Sequence, residues 1–136
     1  MSRAVNLALI VIGGACGTAA RAGLEGSFGA TAGQWPWITL SINVLGSLLL
    51  GVLLELLSSG DDRGWRRSVR LGVGTGVMGG FTTYSTYAVE TVGLMRGGEW
   101  LLGLVYALVS VLIGIAAAAA GIVAVRWFRR RQRRTA

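Results

Sequence analysis

Residues 82–87 read TTYSTY, six consecutive hydroxyl-bearing side chains in an otherwise apolar stretch. Hydroxyls at this density can donate to an anion or bond to backbone groups that a broken helix releases. Gly79 and Gly80 stand just before them. Adjacent glycines weaken a helix, so Gly79–Thr83 is where a break within this span is expected. Carbonyls exposed there need a partner, which in hydrocarbon must be protein, trapped water or a cation, while the new helix N-terminus favours an anion. An unbroken polar helix facing its neighbours is the alternative. The same stretch contains GTGVMG, residues 74–79, which spells the G-x-G-x-x-G of a dinucleotide-binding turn. That turn requires a β-strand before it and a soluble helix after it, whereas this one follows an Arg-rich loop and lies in an apolar run. Gly72, Gly76 and Gly80, like Gly13 and Gly17, recur at four-residue spacing and are read as helix-packing positions.

Other polar residues fall on stripes. Thr39, Asn43 and Ser47 share one helical face by their spacing, as do Tyr106, Ser110 and Gly114, and as do Tyr84 and Tyr87. Interhelical hydrogen bonding explains any one of them, and for Asn43 alone structural glue and function are equal readings. Together they suggest a lined path. Amide and hydroxyl donors and the positive edges of aromatic rings suit a small anion. No acidic residue lies mid-span: Glu25, Glu55, Glu90 and Glu99 fall near the ends of apolar runs, which argues against a proton relay and leaves Glu90 to line a vestibule.

Positioning such residues takes helices that cross a bilayer. The 136 residues are 53% hydrophobic and 14% charged, with a mean hydropathy of +0.62, too little charge for a soluble domain of this size. Four uncharged runs predict an all-α membrane protein, one four-helix domain over 1–136 with helices at about 4–24, 37–57, 70–95 and 100–126 and a basic tail at 127–136. Trp35, Pro36 and Trp37 set an interfacial helix start, and SGDDRGWRRSVR, residues 59–70, is an aqueous loop. Cys16 is single, so no internal disulfide is possible. All thirteen basic residues are arginines, giving a net charge of +7. They flank the spans, so they speak of orientation and not of nucleic acid. There is no G-x-x-x-x-G-K-[ST] loop and no Lys, so no ATP-binding enzyme is expected.

GGACGTAAR in the first helix, NVLGSLLLG in the second, GGFTTYSTYAVE in the third and Tyr106 with Ser110 in the fourth together resemble the Fluc, or CrcB-type, fluoride channels. The third-helix motif is the specific one. The resemblance implies antiparallel dimers with two fluoride pores and a structural sodium ion at the dimer centre. By position it implies that Asn43 is the fluoride-contacting amide and that the carbonyls of Gly79 and Thr82 hold the sodium. Tyr84 and Tyr87 stand where the family usually has two pore-lining Phe residues, and Gly114 stands where it usually has Ser or Thr. Thr39, Ser85 and Thr86 would line the pathway, Arg21 and Glu90 its vestibules, and Tyr106 and Ser110 would begin a hydroxyl track. Passive export of cytoplasmic fluoride, and so fluoride resistance, is the implied role.

Two other classes compete. A small multidrug-type exporter also has four short helices but needs an embedded carboxylate. A non-conducting structural subunit of a heterodimeric channel is favoured by the two Tyr substitutions. With four spans, eleven arginines fall on the side of both termini and only Arg21 and Arg96 on the other. This bias predicts a multi-pass protein of the cell (plasma) membrane with cytoplasmic termini, and therefore a heterodimer with an oppositely oriented paralogue.

Overall fold

The computed structural model describes residues 2–28 and 34–135; Met1, residues 29–33 and Ala136, which the single-domain reading includes, lie outside the described residues. In chain order come α1 (Arg3–Phe28), α2 (Trp37–Leu57), α3 (Gly64–Val69), a π-helical stretch (Arg70–Val77), α4 (Met78–Phe81), α5 (Tyr84–Arg96) and α6 (Trp100–Thr135). Among the described residues there is no strand. Among the described residues three helices, α1, α2 and α6, are long and apolar enough to cross a membrane. From α3 through α4 the chain is continuously helical up to Phe81, and it resumes as α5 at Tyr84.

Local sequence explains where the elements begin and end. Pro36 precedes α2 with φ −79°, a position where its missing N–H costs nothing and its ring favours the helical turn. Between α5 and α6 the chain reverses at Gly97-Gly98, and Gly98 takes φ +93°, which a side chain resists. The basic segment expected as a tail after residue 126 instead continues α6. No Gly or Pro interrupts it, and Arg126 and Arg129 fasten it to Glu55 at 3.1 and 3.9 Å.

Glycines set how closely the helices approach. α1 lies on the π-helical stretch and α4, where a side chain at Gly13 would strike the Gly72 carbonyl, one at Gly17 the Val77 carbonyl and one at Gly80 the Gly14 carbonyl. α2 and α6 pack in the same way through Gly51 on Ala118 and Gly121 on Leu48. The core is small. Tyr106 is wholly buried and Thr39 is 2% exposed, with Leu40 and Leu94 around them. The outward faces of α1 and α6 expose Leu7, Val11, Ile12, Leu108, Leu112 and Ile115, as lipid-facing helices do.

Candidate functional site

The helix does break, and the cause is visible in the hydrogen bonds. The last α-helical bond of α4 runs from Thr82 N to Met78 O at 2.9 Å, and the Thr82 hydroxyl donates to the same carbonyl at 2.8 Å. Thr82 and Thr83 are then extended, with ψ 155° and 123°. Asn43 of α2 bridges the gap: its Oδ1 accepts from Thr83 N at 2.8 Å and its Nδ2 donates to Thr83 O at 2.9 Å. Thr83 Oγ1 caps α5 by accepting from Thr86 N at 3.1 Å. Thr83 N and Thr86 N would otherwise bond to the carbonyls of Gly79 and Thr82, so both carbonyls lose their helical donors. The two glycines themselves remain helical. They serve packing and space: Gly80 abuts α1, while a side chain at Gly79 would meet none of the described residues of another element within 4 Å.

A second group of residues ties the break to α1. The Gly80 carbonyl accepts from Arg21 Nε at 3.2 Å and from the Thr18 hydroxyl at 3.5 Å. Arg21 also pairs with Glu25 at 3.0 Å, and Thr86 Oγ1 donates to Glu25 at 3.5 Å. Thr86 Oγ1 and Ser85 Oγ lie 3.0 and 3.3 Å from the Thr83 hydroxyl. Arg21, Ser85 and Thr86 thus gather on this side of the break.

Glu90 joins three helices. Thr39 donates to its Oε1 at 2.7 Å and Tyr106 to its Oε2 at 2.8 Å. Glu90 is half-buried, and such donors offset the water its carboxylate loses. Beside it runs an aromatic ladder, Trp35 edge-on to Tyr106 at 5.5 Å, then Tyr87 at 5.6 Å from Tyr106 and Tyr84 at 5.7 Å from Tyr87. The Tyr87 hydroxyl is turned onto the Ala107 carbonyl of α6 at 3.2 Å, so the ring is held by its tip. Tyr84 is 80% exposed.

Gly79, Thr82, Thr83, Asn43, Ser47, Tyr84, Tyr87 and Ser110 share one open groove of about 700 Å³. The Ser110 hydroxyl is buried and has no partner among the described residues. Ser47 Oγ lies 3.6 Å from where a side chain at Gly114 would begin. The groove therefore holds Asn43, Tyr84, Tyr87 and Ser110 together, with Thr39, Glu90 and Tyr106 reached through the Tyr87 ring. Sequence reasoning did not assign Thr18, Glu25 or Trp35 to the site. Glu25 carried a signal, four residues after Arg21; the other two carried none.

A family model described as CrcB-like protein, Camphor Resistance (CrcB) matches residues 8–122. Fluoride-specific ion channel FluC 1 of Cutibacterium acnes is 46% identical over 125 residues, 91% of this chain and 87% of that protein. Fluoride-specific ion channel FluC 2 of Leifsonia xyli subsp. xyli is 49% identical over 118 residues, covering 86% and 81%. Fluoride-specific ion channel FluC of Thermus thermophilus is 42% identical over 111 residues, covering 79% and 84%.

Proposed function

Because the chain belongs to the CrcB family, we propose that it is a fluoride channel, not an enzyme, through which cytoplasmic fluoride leaves passively. The observation that carries this reading is the Asn43-bridged break opening onto a groove with an unpartnered, buried Ser110 hydroxyl. Asn43 commits one N–H to Thr83 and keeps a second, and Ser110 keeps its O–H. The hydroxyls of Thr39 and Tyr106 are engaged by Glu90, and Ser110 follows Tyr106 one turn along α6 on the same face. Tyr84 and Tyr87 offer ring edges to a passing anion, with Ser85, Thr86, Arg21 and Glu90 at the approaches.

A groove with freed carbonyls cannot face lipid. A second, antiparallel subunit laid over it would cover the exposed Tyr84 ring and complete a set of carbonyls around one sodium ion. The residues fit that ion: the Gly79 and Thr82 carbonyls lack helical donors, line the groove and are uncharged oxygen ligands suited to a hard monovalent cation. Its charge would offset the cost of anions nearby. The chain would then cross the membrane four times, the 64–96 segment supplying the broken span.

The arginine asymmetry supports cytoplasmic termini and a heterodimer in the cell membrane with an oppositely oriented paralogue. Purified protein reconstituted in liposomes and read with a fluoride electrode tests the function. Fluoride release once charge is balanced by an ionophore is the expected result. Absence of release, alone and after co-reconstitution with an oppositely biased relative, would overturn it, and release only on co-reconstitution would identify the heterodimer.

A further inference from the structure

At the end of the molecule where α1 starts and α3 begins lies a second pocket, of about 300 Å³, lined by Arg3, Asn6, Asp62, Arg63, Gly64 and Arg67. Three arginines and one aspartate line it, and the Asp62 carboxylate lies 3.6 Å from Arg70. Arg63 leans towards Asp61 at 3.9 Å. Arg3 and Arg67 have no ion-pair partner among the described residues. Asn6 adds an independent sign of a missing ligand, because its Oδ1 is buried with no donor among the described residues, a state that costs free energy unless a donor reaches it. The apolar part of α1 begins at Ala4 and that of the π-helical stretch at Leu71. The pocket thus sits where hydrocarbon gives way to headgroups.

We propose that this pocket binds the headgroup of an anionic phospholipid that carries a free hydroxyl, phosphatidylglycerol in type. Arg3 and Arg67 hold the phosphate, and a glycerol hydroxyl donates to Asn6 Oδ1. Basic pockets between membrane helices take anionic headgroups in this way, and guanidinium groups match phosphate geometry. A phosphatidylcholine headgroup is neutral overall and offers no hydroxyl. The inference stands apart from the fluoride reading, since none of these residues lies in the groove.

The test is thermal unfolding of the full chain in a neutral detergent, with short-chain phosphatidylglycerol, short-chain phosphatidylcholine or inorganic phosphate added. Phosphatidylglycerol is expected to raise the midpoint saturably and phosphatidylcholine to leave it unchanged. Arg3→Gln and Arg67→Gln should each weaken the apparent lipid affinity about fivefold, whereas Arg130→Gln/Arg133→Gln on exposed α6 should not. Equal shifts from both lipids, the same shift from millimolar inorganic phosphate, or an equal loss in the α6 variant would each overturn the proposal. Should Arg3→Gln fail to fold, the lipid comparison on the unaltered chain and the exposed Arg67→Gln still decide.

Discussion

Asn43 uses both ends of its amide on one residue, the backbone N–H and C=O of Thr83. The side chain therefore does for the broken segment what a β-ladder partner does for a strand, satisfying an extended residue that no helix serves. Replacing it by Asp keeps the acceptor but sets an oxygen against the Thr83 carbonyl, now 2.9 Å from Nδ2. Leaving that carbonyl unsatisfied costs about 1–3 kcal/mol. Asn43→Asp should thus lower the unfolding midpoint and abolish fluoride flux together, as read in detergent melts and liposome efflux. Tyr87→Phe is the contrast, because it removes one hydrogen bond to Ala107 and leaves the ring between Tyr84 and Tyr106. Its cost should stay near 1 kcal/mol, with flux retained; a large loss of flux would assign the hydroxyl a role in conduction.

Among the elements, α1 owes its position to glycine. Its contact with the π-helical stretch and α4 is backbone on backbone, and there is no room for a methyl group at Gly13 or Gly17. Gly17→Ala must push α1 away from Val77 and Phe81, and with it the Arg21 bond to the Gly80 carbonyl. Overpacking of this kind costs about 1–3 kcal/mol. Gly23→Ala, on the same helix with nothing within 4 Å, should be neutral or slightly stabilising, since Ala is the better helix former. Melting both variants side by side checks the claim, and equal midpoints would show that α1 can shift without penalty.

For the molecule as a whole, topology is the open quantity that charge should decide. Eleven arginines lie at the end of the termini and the 59–70 loop, and some of them brace that end: Arg129 donates to the Leu56 carbonyl at 2.8 Å and Arg66 to the Leu57 carbonyl at 3.5 Å. The positive-inside bias predicts a single orientation. In a Cys16→Ser background, Arg133→Cys should label with impermeant thiol reagents only from the cytoplasmic face. Substantial labelling from both faces would show dual topology and remove the need for a second kind of subunit.

The amino-acid sequence alone determined the membrane class, because apolar runs and a charge content of 14% leave no other solvent for these helices. It also determined that the polar residues fall on helical stripes, since spacing fixes the face, and it marked the 79–83 interval as the place for a break, with an unbroken polar helix as the alternative. It did not determine which residue of that interval leaves the helix. The glycines that weaken it locally stay helical, and the break falls at Thr82–Thr83 because Asn43, some forty residues earlier in the chain, outcompetes the helix for the Thr83 backbone. Glu90 shows the same limit. Its position near the end of an apolar run was legible, but its place in the middle of α5 and its union with Thr39 and Tyr106 exist only once α2, α5 and α6 have packed, because hydrogen bonds between distant residues leave no periodic mark in the chain.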